Sequence, residues 1–215
     1  MKIKMKIKIT IGRQFGSGGY DIGQKLAELL GISFYDKELL VLAAKESGLN
    51  KAFFEKADER STHGLTYAFS VGLPYMGMFT PYTDILSNDG LFKLQSDTIR
   101  RLAKKQSCVL VGRCANYLLK DDINCLSIFI HSPLEVRTTR IMEKYNLKKM
   151  QAIELITQTD KDRATYYNYY TNQRWNDAHL YNLSIDSSIL GGEETALFLK
   201  DFILKKYSDS AFSFQ

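Results

Sequence analysis

The chain predicts an α/β fold, a parallel β-sheet flanked by helices, and three observations carry that prediction. Ile7, Ile9 and Ile11 alternate into a strand that runs through a glycine-rich turn into a helix with Ile22, Leu26, Leu29 and Leu30 at helical spacing. Strand-like and helical segments then keep alternating along the chain, as parallel strands joined by crossover helices do. Two later runs, 108–111 and 125–130, are continuously apolar, as in strands buried on both faces. With 215 residues, 45% of them hydrophobic, the chain suits one domain with an ample core.

Taken in order, the first strand begins in an alternation of Lys2, Lys4, Lys6 and Lys8 with Ile3, Met5, Ile7 and Ile9. That pattern predicts a strand with one solvated face near its start. Gly16, Ser17, Gly18 and Gly19 let the backbone turn its N–H groups toward one point, and the following helix adds the positive end of its dipole there. An anion is the natural occupant. The run 32–35 is a short strand, and Asp36 is a good N-cap for a helix over 37–47 closed by Gly48. Residues 50–60 read as helical, whereas 61–90 show no steady period and read as an irregular insert or flap. Its Tyr67, Tyr75, Met76, Met78, Phe79 and Tyr82 suit either stacking on a base or plain packing.

A helix over 91–105 ends in Arg100, Arg101, Lys104 and Lys105, which complement its negative pole. The strand 108–111 ends in Gly112 and Arg113, and a short helix leads to the strand 125–130. Ser132 and Pro133 then open a helix through about Tyr145. A long helical stretch over 148–170 carries Asp160, Lys161, Asp162 and Arg163, then Tyr166, Tyr167, Tyr169 and Tyr170. Residues 183–185 are the last strand, Gly191 and Gly192 lie in a loop, 193–207 is the closing helix, and 208–215 is a fraying tail.

Composition narrows the partners. The formal net charge of +5 suits a polyanionic ligand, but much of the excess lies in the first four lysines, so nucleic acid is not demanded. No apolar run reaches membrane-spanning length and the amino end lacks the apolar core of a secretion signal, so a cytoplasmic protein without a membrane partner is expected. Cys108, Cys114 and Cys125 lack metal or redox spacing and read as reduced core thiols. His63, His131 and His179 are far apart, which argues against a zinc site. Oligomeric state is left open.

The glycine turn departs from the phosphate-loop pattern G-x-x-x-x-G-K-[ST]. With Gly18 as its last glycine, Arg13 stands at the first glycine, Gly19 at the lysine and Tyr20 at the hydroxyl residue. The dinucleotide pattern G-x-G-x-x-G fails too, because Asp21 stands where its third glycine belongs. In open parallel sheets ligands bind at the carboxyl ends of strands, and that edge receives Arg113 and the helix bearing Arg137 and Arg140.

The ordered motifs ITIGRQFGSGG, FYDKELL, VLVGR, IFIHSPLEVRTTR, DKDR and YNLSIDSS cover nearly the whole chain. Together they resemble the nucleoside monophosphate kinases, specifically the cytidylate kinase-like branch of the P-loop kinases. The resemblance implies a three-layer P-loop NTPase sandwich with an acceptor-binding helical insert at about 50–90 and a lid at about 148–170. It also implies ATP-dependent, Mg2+-assisted phosphoryl transfer to a nucleoside monophosphate such as CMP or dCMP. A different small acceptor, or nucleotide binding without turnover, is the alternative.

Carried over by position, the resemblance puts Arg13, Gly16, Ser17, Gly18, Gly19, Tyr20 and Asp21 around the donor. Asp36, Arg113, Arg140 and Lys161 fall to the acceptor, and Arg163, Arg113 and Arg137 to a clamp on the moving phosphoryl group. The absent lysine leaves two sources of replacement charge, Arg13 reaching over the loop or Lys161 and Arg163 from the lid. Tyr20 and Asp21 stand in place of the hydroxyl residues that help hold magnesium, which leaves Asp21 to act through water.

Overall fold

The computed structural model describes residues 6–36, 48 and 88–208. Its strands are β1 (Lys8–Arg13), β2 (Ser33–Tyr35), β3 (Cys108–Val111), β4 (Cys125–His131) and β5 (Leu183–Asp186). All five are parallel in one sheet of order β2-β3-β1-β4-β5. The described helices are α1 (Gly19–Leu30), α2 (Asn88–Lys105), α3 (Ala115–Leu118), α4 (Leu134–Tyr145), α5 (Lys149–Thr171) and α6 (Gly191–Ser208), with a 3-10 turn at Ala178–Leu180. The helix expected over 37–47, the one over 50–60 and the aromatic insert lie outside the described residues.

β1 is the central strand, paired to β3 on one side and β4 on the other, so Ile9 lies level with Val109 and Leu126. On one face Ile7, Ile9, Ile11, Leu126, Ile128 and Ile130 pack against Ile22 and Leu26 of α1 and Ala196, Leu199 and Ile203 of α6. On the other, Cys108 and Leu110 meet Ile99 and Leu102 of α2 and Ala115 of α3. Phe129 there joins Cys114, Tyr167, Trp175 and Tyr181 in an aromatic cluster under α5. With both faces covered, a central parallel strand has no solvated side.

This corrects the expectation for Lys8, which is 6% exposed rather than part of a wet face. Its ammonium reaches Asp122 at 2.7 Å and the Lys6 carbonyl at 3.1 Å, the pairing that a buried cation requires. Two further boundaries differ. α2 begins at Asn88, three residues before the expected start, with Asp89 at its positive pole. Gly191 and Gly192 open α6 instead of lying in a loop, because β5 feeds the helix through the short turn in which Gly191 N–H donates to Ser187 O at 3.1 Å.

The tyrosine cluster of α5 is chiefly a packing device. Tyr170 stacks on Phe92 at 3.9 Å between centroids, and the Tyr167 hydroxyl accepts from Asn116 at 2.9 Å. These contacts lay α5 across α2 and over the carboxyl edge of the sheet. Ile141, Ala152 and Ile156, with Phe15 and Tyr145 against them, join α4, α5 and the glycine turn. The thiols of Cys108, Cys114 and Cys125 are free, and burial pushes each up to about 12, so they stay protonated. No described helix is long and apolar enough to cross a membrane.

Candidate active site

The turn after β1 is fixed from below by side chains that bond its backbone. Gln14 N–H donates to Ile130 O at 3.0 Å, and Ser132 N–H donates to the Gln14 side-chain oxygen at 3.2 Å. The buried Ser17 hydroxyl donates to Gln14 O at 2.8 Å, and the Ser187 hydroxyl donates to Ser17 O at 2.6 Å. The loop is thereby tied to the ends of both β4 and β5. Above it, the first turn of α1 presents N–H groups that no helix can satisfy internally.

Gly16 sits at φ 79, and a Cβ there would stand 3.0 Å from the Arg137 Cβ and 3.1 Å from the Arg137 carbonyl. A Gly16→Ala substitution is therefore expected to destabilise the fold by about 2 kcal/mol, the cost of left-handed backbone for an L-residue, with crowding added. Urea denaturation measures it, and an unchanged midpoint would show the loop to be softer than this geometry.

Around the loop mouth stand arginines from four elements. Arg113 follows Gly112 in a run of three left-handed residues, with φ 79, 54 and 58 at Gly112, Arg113 and Cys114. Two non-glycine residues in that conformation store strain of the kind found at functional sites. The turn sets the Arg113 guanidinium over the Tyr166 ring at 4.9 Å. Arg163 of α5 lies over the Phe15 ring at 5.5 Å and donates to Arg13 O at 2.9 Å. Burial, then the charges of Arg113 and Arg137, pull its pKa down, with Asp160 opposing.

Arg137, 8% exposed, has its Nε and Nη1 donors engaged: Nε with Ser132 O at 2.9 Å, and Nη1 with Phe15 O at 3.1 Å and Asp160 at 2.6 Å. Arg140 donates to Gly16 O at 3.3 Å, which sets it beside the glycine loop. Asp160 also accepts from Phe15 N–H at 2.7 Å, and burial outweighs these partners in lifting its carboxyl above the usual range. Asp36 ends the β2 segment and acts electrostatically on Arg13. Tyr20, 42% exposed, meets Phe34 edge-on at 5.4 Å. Asp21 is exposed in the first turn of α1, and Lys161 is exposed on α5. No group of three or more metal-ligating side chains forms among the described residues.

Three participants had no assigned role in the sequence. Asp160 was visible only as part of DKDR, although its spacing of three from Arg163 puts both on one helical face. Gly112 and Tyr166 carried no sequence signal beyond a turn residue and an aromatic.

Residues 8–189 match the model of the Cytidylate kinase-like family. Cytidylate kinase of Methanothrix thermoacetophila is 27% identical over 180 residues, which is 83% of this chain and 87% of that protein. Among solved structures, an uncharacterized protein from Eubacterium ventriosum is 28% identical, with a TM-score of 0.69 over 92% of this chain and 98% of that one. Shikimate kinase from Acinetobacter baumannii, 16% identical, shares the fold at a TM-score of 0.51 over 95% of this chain and 96% of that one. The parallel sheet with helices on both faces is that of the P-loop kinases, and the chain belongs to the cytidylate kinase-like family.

Proposed function

We propose that the protein transfers the terminal phosphoryl group of ATP to a nucleoside monophosphate of the cytidylate type, CMP or dCMP. The observation that supports this best is the convergence of Arg13, Arg113 and Arg163, from β1, the turn after β3, and α5, beside a glycine loop at a helix amino terminus. Among the described residues, the carboxylates acting on them, Asp36 and Asp160, are too few to balance three guanidiniums and Arg137. A site short of negative charge suits a ligand with several phosphates.

In this reading an oxygen of the acceptor phosphate attacks the terminal phosphorus of ATP. A new P–O bond forms, the bond to the bridging oxygen breaks, and ADP leaves with the electron pair. The attacking phosphate is already ionised, so the chain supplies no strong general base and works by alignment and charge. The amino end of α1 holds donor phosphates, and the planar fork of Arg113 takes two oxygens of the acceptor phosphate. Arg163 covers the transferring group from α5 and excludes water.

Asp36 and Lys161 keep the acceptor side expected of them, Lys161 at the exposed rim, whereas Arg140, expected on the acceptor, is read as a donor contact because it bonds Gly16 O of the glycine loop. Arg137, expected in the clamp on the moving group, is read instead as shaping the loop, because its Nη1 is held by Phe15 O and Asp160. A magnesium ion would be held beside the first turn of α1 and would supply positive charge against the donor phosphates. Asp21 is the hard oxygen ligand in the first turn of α1 and suits it through a water, whereas the Tyr20 ring packs on Phe34.

The test is a magnesium-dependent assay of ATP against a panel of nucleoside monophosphates, with ATP binding followed by calorimetry. Turnover with CMP or dCMP is expected. Turnover confined to another acceptor would move the substrate class, and binding without turnover on any acceptor would reduce the protein to a nucleotide-binding module. The replaced loop lysine is the feature that favours that second reading.

A further inference from the structure

Position 19, where the loop pattern has lysine, is glycine, and position 13, where it has glycine, is arginine. The structure makes these two departures one arrangement. A Cβ on Gly19 would stand 2.6 Å from the Arg13 Cβ and 3.3 Å from the Ile130 Cβ. Both neighbours are roots of side chains, fixed by the backbone, and neither can swing aside. Residue 13 carries a side chain only because residue 19 carries none.

From that root Arg13 crosses the sheet edge toward β3, where a Cβ on Gly112 would run into its guanidinium. Gly112 thus serves both its left-handed turn and the passage of the arginine. The head ends within reach of the charges of Arg163, Arg113, Asp36 and Asp160. Burial first, and then the two arginines, hold its pKa well below the usual guanidinium range. A cation kept there against burial and like charge marks a place completed by a polyanion.

We propose that Arg13 is a catalytic residue that replaces the missing loop lysine, gripping the terminal phosphates of a nucleoside triphosphate from the β3 side of the loop. The proposal rests on the phosphotransferase reading above. Lysine at position 19 would bring its charge from α1, whereas Arg13 brings it from β1 and sets it between Arg113 and Arg163, where donor and acceptor phosphates meet. Its fork spans two phosphate oxygens at once, which a single ammonium does not. It neutralises charge on the moving group and takes no part in bond making.

A swap of the two residues tests this. Arg13→Gly alone should lose at least about 100-fold in kcat/KM, the scale of one lost electrostatic contact to a transition state. The double variant Arg13→Gly/Gly19→Lys rebuilds the common loop order and should return to within about tenfold of the unsubstituted protein. Gly19→Lys alone, with two side chains contesting one space, should lose as much activity as Arg13→Gly and melt at lower temperature. Arg13→Gln keeps the packing against Gly19 and Gly112 while removing the charge. It should fold normally and lose about 100-fold.

A folded double variant no better than Arg13→Gly, or an Arg13→Gln protein with full turnover, overturns the proposal. Calorimetry with inorganic tripolyphosphate separates it from the choice of acceptor. Binding at least tenfold weaker in Arg13→Gln upholds the role of Arg13 even where no acceptor in the panel is phosphorylated. Equal binding by both proteins, or no binding by either, overturns it.

Discussion

Replacing Arg163 by alanine is expected to lower kcat by about 100- to 1,000-fold while leaving ATP affinity within a few fold. The expectation follows from where the guanidinium stands. It comes from α5, across the Phe15 ring at 5.5 Å, and donates to Arg13 O at 2.9 Å, so it lies over the loop without being part of it. In the proposed reading the donor phosphates already have the amino end of α1, so losing one cation of α5 costs them little. The transferring phosphoryl group spreads charge over its outer oxygens as it moves, and a contact that strengthens only then appears in kcat.

Arg163→Lys sharpens the test, because it keeps a charge and loses the fork that serves Arg13 O and a phosphate oxygen together. It should fall between the two. Steady-state kinetics with the preferred acceptor, alongside melting temperatures, reads the outcome. A rise in KM at constant kcat would assign Arg163 to ground-state binding. A drop in melting temperature with normal kcat would make it a strut for the loop.

Much of the fold was legible because apolar period and turn chemistry agree along this chain. β3 is the apolar run 108–111 as read, and Pro133 precedes α4 as expected. Lys8 misled because alternation of lysine and isoleucine reads as a half-wet strand, while the position of β1 between β3 and β4 covers both faces. Strand order is a tertiary fact, and no local pattern near Lys8 encodes it. The site was legible in kind and less so in detail. Gly16, Gly18, Arg113 and Arg163 stand at one sheet edge because each follows or overhangs the end of a parallel strand. Which arginine is engaged in holding the loop, and which lies open to a ligand, depends on Asp160, whose partner is 23 residues away at Arg137 and whose other bond is to a backbone N–H.

Asp160 therefore carries the largest expected effect on stability. Its carboxylate takes Phe15 N–H at 2.7 Å and Arg137 Nη1 at 2.6 Å, joining the loop, α4 and α5 through one side chain. Asp160→Ala leaves a desolvated guanidinium and an unpaired N–H, and is expected to cost about 4 kcal/mol, the penalty for breaking a buried ion pair from one side. For a chain of this size that is roughly a 10 °C fall in melting temperature. Asp160→Asn still accepts from Phe15 N–H and should lose about 2 kcal/mol. The double variant Asp160→Ala/Arg137→Met removes both charges and should recover part of the loss, because a buried pair is stabilising mainly relative to half of itself.

The pH dependence follows from the direction of the Asp160 shift. Burial holds the folded carboxyl above its usual range, so its contribution to stability is full at pH values below the unfolded pKa and is lost as pH rises through the folded one. Mild acid should therefore leave the latch closed, and the stability advantage of the unsubstituted protein over Asp160→Asn should widen as pH falls. Urea denaturation of both proteins from neutral pH down into the acid range tests both signs. A difference that narrows toward low pH would mean that the Arg137 charge, and not burial, governs this carboxyl, and that acid opens the contact between α5 and the loop.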